Sequence, residues 1–554
     1  MQRSGRRHCR RAVRGLVLLL LLVPVAAAGA SAALTNADCG APGVTALADV
    51  RGHQGEPLPS GREVTVEAAV TAGFPGREGL NGFFLESESP RVGVFVYAPD
   101  LNSGDAPVRG ERWRVQARTG RYRGRIQLEA VADAIECGPQ ALPPVTVSAT
   151  QLADPESYMA RLVRLQGPLT VTDTYHLGRY GSLRLSLGSR RFHPGTGIAG
   201  GSSFPVVLDD GSYRRDPRPV PHLGPDGVRR AGDTLNTVTG VVTRAFGDWR
   251  LHPVEPASFV ASNPRPEPPS APSDLRAAHL NLENYFLTRD GRGPDTEAGF
   301  RRQRERLRET LAAIDADLLV LHEIENRPEA VADLVNLLNR DEAVARHYRP
   351  VLNKRSPAVI RSVILYRPAV LELREARRQT HAVHPRDPVA ARFRDDTGRE
   401  LIVIGVHAKS RGGCPETGDI DRGEGCWAER RKAQAEALVT WLDDWLGPRG
   451  IDQAPVLLMG DLNAHAREAA IAPLRAAGLR DQLAARIRPA ERYTYIYRGR
   501  SGYLDHVFAS AAAAARVAGL STWPVNADEP DYLRPDGEGV WRASDHDPIV
   551  VDLR

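Results

Sequence analysis

Eight residues in the second half of the chain have the types needed to hydrolyse a phosphodiester with help from a divalent cation. Asn281 sits in HLNLEN, Glu323 in LVLHEIEN and His407 in VIGVHAKS. Asp461 and Asn463 sit in LLMGDLNA, Asp505 in YLDHVFAS, and Asp545 and His546 in ASDHDPIVV. Hard cations such as Mg²⁺ or Mn²⁺ take oxygen ligands, and Mg²⁺ uses one or two carboxylates plus water and substrate phosphate. Glu323 and Asp545 are the candidate ligands, with Asn281 supporting them. His546 is the candidate base, and Asp505 the carboxylate that fixes its tautomer. Asp461 and Asn463, two apart in extended chain, point the same way and suit water and phosphate positioning. His407 suits hydrogen bonding to phosphate or protonation of the leaving oxygen. Singly these are weak signals, because a GDxN is commonly a turn and a lone histidine is commonly structural. Together, each adjoining an apolar run, they are hard to explain as turns.

Rigid elements must hold such a set. From residue 274 strands and helices alternate. RAAHLNLENY, LLVLHE, SVILY, LIVIGVH, PVLLMGD and PIVVDL read as strands. Residues 300–314 carry Leu307, Leu311 and Ile314 at helical spacing, and a helix over about 428–446 is expected to bury Ala437, Leu438, Trp441, Leu442 and Trp445. The pattern is an α/β domain with polar residues at strand ends, where open α/β sheets bind ligands.

These motifs resemble the endonuclease/exonuclease/phosphatase superfamily, and within it the bacterial extracellular nucleases. The pieces are HLNLENYF, LLVLHEIEN, HAKSRGGCP with GEGCWAERRKAQAEALVTWL, GDLNAH, YTYIYRG with YLDHVFAS, and SDHDPIVVDL, over about residues 274–554. The resemblance implies a four-layer α/β sandwich of the pancreatic deoxyribonuclease (DNase I-like) type. It implies metal binding around Asn281, Glu323 and Asp545, phosphate and water positioning by Asp461 and Asn463, an Asp505–His546 pair, and a second catalytic histidine in His407. Upstream, LNGFFLES, VGVFVYAPD and LTVTDTYHLGRYGSLRLS are similar to the OB-like barrel segments that precede such domains. Two positions depart from the family. His322 stands where Gln is common, and Ala358 stands where the loop before SVILY usually offers an acid to the first histidine. Without that acid His407 is expected to be a weaker base, or a neutral hydrogen-bond donor.

The N-terminus carries Arg3, Arg6, Arg7, Arg10, Arg11 and Arg14, then an apolar run from Leu16 to Ala28 and a small-residue end at Ala30-Ser31-Ala32. That order describes a cleavable secretory signal over residues 1–32. Removing its six arginines leaves 67 basic against 68 acidic side chains, so the net charge moves from +5 to −1. The basic balance is therefore no argument for a polyanionic partner. Cys39, Cys137, Cys414 and Cys426 remain, an even number that suggests two disulfides, with Cys39–Cys137 and Cys414–Cys426 favoured by proximity.

Residues 33–140 and 141–262 are each rich in β-runs separated by Gly/Pro/Asn turns, and are expected to form two related all-β modules. Residues 263–273 are proline-rich and read as a stiff spacer before the domain of residues 274–554. Lys409 and Arg411 are candidate phosphate contacts. Tyr122, Tyr175 and Tyr180, with Arg121, Arg123, Arg125 and Arg179, are candidates for stacking on bases, whereas Phe83 and Phe84 are expected in the core. The expectation is a secreted or periplasmic, monomeric, metal-dependent endonuclease acting on DNA, with RNA a further candidate substrate. Its metal would be Mg²⁺ or Mn²⁺, with Ca²⁺ a further candidate, and no stable membrane association is expected after signal removal. Competing readings are a phosphodiesterase or phosphatase on lipid or small phosphoesters, and a DNA- or matrix-binding protein with weakened catalysis.

Overall fold

The computed structural model describes residues 33–554 except 54, 102–105, 149–150, 202–204, 290–291, 341, 352–357 and 537. The signal expected over residues 1–32 lies outside the described residues. No helix among the described residues is long and apolar enough to cross a membrane.

The first module is a closed five-stranded barrel of Glu63–Phe74, Gly82–Glu86, Gly93–Tyr97, Glu111–Tyr122 and Arg125–Pro139. Val64, Val66 and Ala68 alternate inward along its first strand, and Phe83 and Phe84 are buried as expected. Cys39 is bonded to Cys137, tying the entry segment to the last strand across 98 residues. The second module is a seven-stranded sheet in which Thr234–Ala245 pairs back onto Leu162–Asp173 and closes a ring. Both rings share one pairing order. The third strand runs parallel to the fifth, and the fourth returns antiparallel to the first. The repeated β-pattern in the sequence thus corresponds to repeated topology.

In the C-terminal half two six-stranded sheets pack face to face. One runs Arg349–Pro350, Ile360–Tyr366, Leu318–Glu325, Leu275–Tyr285, Ile549–Leu553 and Val517–Thr522. The other runs Leu371–Arg378, Val389–Asp395, Glu400–His407, Val456–Asp461, Asp505–Ala509 and Arg480–Asp481. Leu318, Val320 and Val551 of the first meet Phe393, Val403, Leu457 and Met459 of the second in a shared core. Helices Glu297–Ile314 and Pro328–Asn339 cover the outer face of one sheet, and Ala428–Leu446 that of the other. The layers therefore run helix, sheet, sheet, helix. Thr296 caps the first helix by accepting from Gly299 N. Ala428–Leu446 buries Ala435, Leu438, Leu442 and Trp445, while Ala437 and Trp441, expected on that face, are only partly covered.

The proline-rich stretch does not hold two bodies apart. Asn263 donates to Asp528 (2.7 Å), Arg265 pairs with Glu529 (2.7 Å), and Pro266 O accepts from Trp523 Nε1 (3.2 Å). These polar and aromatic partners strap it to the C-terminal domain. The second barrel docks beside it through Arg190–Asp528 (2.8 Å) and Arg230–Glu529 (2.7 Å).

Candidate active site

Strand register assembles the site. His407 is the direct partner of Asp461 on the neighbouring parallel strand, and Asp461 is the direct partner of Asp505 on the next. Three functional side chains thus form one row across adjacent strands. Gly460 permits this row to close. A Cβ there would lie 2.0 Å from Val406 O and 2.8 Å from His322 Nε2, so only glycine fits before Asp461.

The opposite sheet contributes from Leu275–Tyr285 and Leu318–Glu325, whose register shifts between Asn281 and Tyr285. Glu283 (φ 53°), Asn284 (φ 61°) and Glu323 (φ 62°) hold left-handed backbone there. Such conformations are rare for these residues and re-aim side chains at a strand end. Asn281 reaches across to Asp461 Oδ2 (3.3 Å). Asn463 also has positive φ, donates its N–H to Asp461 Oδ1 (2.8 Å), and donates Nδ2 to Ala408 O (3.2 Å).

His546 comes from the loop before Ile549–Leu553. Asn526 shapes that loop by donating to His546 O (2.6 Å) and accepting from Ala543 N and Ser544 N. Ser544 Oγ bonds Asn281 O at 2.6 Å, joining the loop to the sheet. His546 Nδ1 then meets Asp505 Oδ2 at 2.7 Å. Thr494 donates to the same oxygen (2.6 Å), and His279 Nε2 holds Oδ1 at 2.8 Å. Asp505 is fully buried. Burial pushes it upward, but His546 and His279 outweigh that and hold it well below the usual carboxylate range. Burial lowers His546 in turn, yet Asp505, Asp545 and Asp461 together lift it well above the ordinary imidazole value.

Sequence matching decides the family of this half. Residues 278–546 match the Endonuclease/Exonuclease/phosphatase family. The C-terminal half is an endonuclease/exonuclease/phosphatase domain. No curated protein sequence matches the chain. Similar solved structures include a humanized D. rerio TDP2 carrying 14 mutations, at 18% identity and TM-score 0.35, covering 50% of this chain and 98% of that one. The human Nocturnin catalytic domain with bound sulfate matches at 15% identity and TM-score 0.35, covering 50% and 93%. A Bacteroides thetaiotaomicron mannosyl-6-phosphatase matches at 16% identity and TM-score 0.34, covering 50% and 99%.

Within the endonuclease/exonuclease/phosphatase domain the acids are crowded. Burial raises the Glu323 carboxyl, and Asp545 and Asp461 raise it further. Burial likewise raises Asp461, with Asp505 adding to it. Glu283 is pushed up to about 8 by burial and Asp545. Carboxylates that disfavour one another's charge in a buried setting suit a divalent cation, whose charge would offset theirs. Donor atoms of Asp461, Asp505 and His546 lie within 4.8 Å of one another. Both oxygens of Asp505 are already engaged by His279, Thr494 and His546, and those of Asp461 by Asn463 and Asn281, which leaves Glu323 and Asp545 as the candidate cation donors.

His407 places Nε2 3.4 Å from Asp461 and 3.8 Å from Glu323. Its Nδ1 is buried with no hydrogen-bond partner among the described residues. Burial, with Arg386 and His322, lowers its pKa well below the usual value, so it is neutral. Ala358 offers only its carbonyl, which accepts from Asn326 (2.6 Å). His322 fills the space between His279 and His407, with ring centroids 4.9 and 5.4 Å away, and bonds Ser362 through Nδ1 (2.7 Å).

Arg411 is committed to Glu468 (2.6 Å), and Lys409 Nζ bonds Ser410 and Gly412 while lying over Trp427. Neither projects freely toward the acids. Arg386 faces Asp461 and Glu323, and Arg534 pairs with Glu283. Arg386 donates to His407 O and Ala408 O, and its charge interacts with Asp461 and Glu323. His279, Glu283, Arg386 and Tyr495, which stacks 4.7 Å from His546, are the site residues that the motifs did not single out. Only His279 and Glu283 left a signal, since they share the strand face of Asn281 at alternate positions.

Proposed function

We propose that the protein is an exported, divalent-metal-dependent phosphodiesterase that cleaves DNA, with RNA as a second substrate. The observation that carries this reading is the buried Asp505–His546 pair beside Glu323, Asp461 and Asp545. Glu323 and Asp545 would hold the ion with Asn281 in support. Bound Mg²⁺, Mn²⁺ or Ca²⁺ supplies charge neutralisation at phosphate and leaving oxygen. Asp461 and Asn463 orient the attacking water. His546, its tautomer fixed by Asp505, accepts the water's proton in its neutral form, which a bound cation would favour by offsetting the charges of Asp545 and Asp461 that otherwise hold the imidazole protonated. His407, neutral and without an acid at Nδ1, serves as a hydrogen-bond donor from Nε2.

A polynucleotide is favoured over a small phosphoester by the OB-like barrels. Two clefts of about 510 and 540 Å³ adjoin at Arg125, Tyr213 and Phe246. Tyr122 and Phe246 are exposed, with Arg123 5.3 Å from each ring and Arg250 5.2 Å from Phe246. Paired guanidinium and aromatic groups suit phosphates and stacked bases. Arg184 of one cleft lies against Gly499, whose hairpin carries Tyr495 onto His546. One cleft thus borders the hairpin that packs on the base. Two disulfides support export.

Purified protein should be assayed at equal concentration on plasmid, single-stranded DNA, RNA, a sugar monophosphate and sphingomyelin with Mg²⁺ or Mn²⁺. Polynucleotide cleavage is expected, and Tyr122→Ala/Phe246→Ala should raise KM for single strands several-fold at unchanged kcat. Turnover of only the monophosphate or the lipid would replace this reading.

A further inference from the structure

A second group of donors lies away from the reaction site, where the second barrel meets the endonuclease/exonuclease/phosphatase domain. His193, in the loop after strand Leu183–Leu187, stacks on His465 with ring centroids 4.0 Å apart and 28° between planes. Glu468 follows in the same loop as His465, its Oε1 3.8 Å from His193 Nδ1. Donor atoms of the three residues all lie within 4.8 Å of one another. Backbone bonds hold both sides in place, with Arg467 N donating to Gly195 O (2.8 Å) and His193 N to Ser501 O (2.9 Å).

The polar accounting leaves ligand capacity unused. His465 Nδ1 faces Tyr503 O at 3.1 Å, so Nδ1 carries the hydrogen and Nε2 keeps a lone pair. Glu468 is 3% exposed, and its Oε2 accepts from Arg411. Its Oε1 is buried with no hydrogen-bond partner among the described residues. Buried carboxylate oxygens are rarely left this way, because the group has lost water and gained nothing. Burial and Arg411 hold His193 down at about 4, and burial with His193 holds His465 at about 2. Both imidazoles are therefore neutral at pH 7, the form that binds metals. Asp421 faces His193 and Arg411 and offsets the guanidinium charge.

We propose that His193, His465 and Glu468 form a transition-metal site of the Zn²⁺ class that clamps the second barrel to the loop following Asp461 and Asn463. Two imidazoles and one carboxylate suit Zn²⁺ better than Mg²⁺ or Ca²⁺, which prefer all-oxygen shells. Tetrahedral Zn²⁺ with bonds of 2.0–2.1 Å puts neighbouring donors roughly 3.4 Å apart, so the observed set closes by about an ångström on binding. His193 Nδ1 accepts from Gly195 N (3.1 Å), and the ring exchanges that bond for the ion. His193 is the most open of the three, its side chain 20% exposed, which leaves a path for the ion and for a water as fourth ligand. The site is separate from the oxygen-rich set at Glu323 and Asp545 and does not depend on the reaction proposed there.

The full chain without residues 1–32 should be stripped with chelator, loaded with Zn²⁺ in excess Mg²⁺, and passed through gel filtration before metal analysis. The wild type and Glu323→Gln should each keep one equivalent of Zn²⁺. His193→Ala should bind it at least tenfold more weakly and lose the thermal stabilisation that Zn²⁺ gives the wild type. A wild type that retains no Zn²⁺, or His193→Ala that retains as much, overturns the proposal. Should His193→Ala fail to fold, zinc X-ray absorption of the wild type decides. Two imidazoles plus oxygen are expected, and an all-oxygen shell overturns the site.

Discussion

His546 Nδ1 and Asp505 Oδ2 lie 2.7 Å apart inside a pocket where Asp505 has no exposure to water. The other oxygen of the same carboxylate holds His279 at 2.8 Å. Asp505 therefore works as a bridge between the two sheets as well as a partner for the base, and its removal has two separable effects.

Asp505→Asn keeps the size and loses the charge. It should lower kcat by about 10²–10⁴-fold, as expected when a base loses its orienting carboxylate, with a much smaller change in KM. Steady-state kinetics on plasmid or oligonucleotide check this, with circular dichroism to show the fold persists. A loss below about threefold would show that His546 does not need its partner.

Glu323→Gln removes one acid from the crowded set and keeps its shape. Half-saturation by Mg²⁺ or Mn²⁺ should rise by about 10–100-fold, the scale seen when support for a metal site is removed. The activity titration against metal reads this directly. An unchanged half-saturation point would place the ion elsewhere.

How much of this was legible follows from local pattern. Asp461, Asp505 and His407 were found because each ends an apolar strand, and strand ends at adjacent register become neighbours. His279 was passed over although it sits two residues before Asn281, because its position inside an apolar run reads as core. Glu283 keeps the alternation with Asn281 in the sequence, but the left-handed backbone at Glu283 and Asn284 that aims it is visible only in the structure. Arg386 lies in a loop with no periodicity to mark it. His193 and His465 meet only because a barrel loop docks on a domain far along the chain, which no local signal reports. Arg411 shows the converse limit, since its pairing with Glu468 cannot be read from spacing.

His222 gives a pH dependence of stability. Burial, opposed by Asp209 and aided by Arg229, lowers its pKa from 6.5 to about 4, and its Nε2 is a buried atom without a partner among the described residues. The unfolded chain therefore takes up the proton first. Stability from this group is full above pH 6.5 and falls as pH drops toward 4. His222 has φ +62°, which Asn tolerates, so His222→Asn is a fair reference. Between pH 7 and 5 the wild type should lose roughly 1–2 kcal/mol relative to that variant in urea melts. Parallel curves would contradict the burial argument.

Cys39–Cys137 closes 98 residues. Replacing both with Ser should cost about 4–5 kcal/mol by the loss of chain restriction in the unfolded state. The first barrel should melt early, whereas the C-terminal domain, whose core shares no residue with it, should hold its transition. Calorimetry separates the two transitions, and a single transition lowered as a whole would show that the barrels and the domain unfold together.

The central claim is that acids and imidazoles from both sheets act on one phosphodiester through a divalent cation. Initial rates of DNA cleavage should be compared for the wild type and His546→Ala, each with Mg²⁺ and with EDTA. The wild type should cleave only with metal, and His546→Ala should be at least about 10³-fold slower in the same metal. Cleavage that survives EDTA, or a His546→Ala rate equal to the wild type, would contradict it.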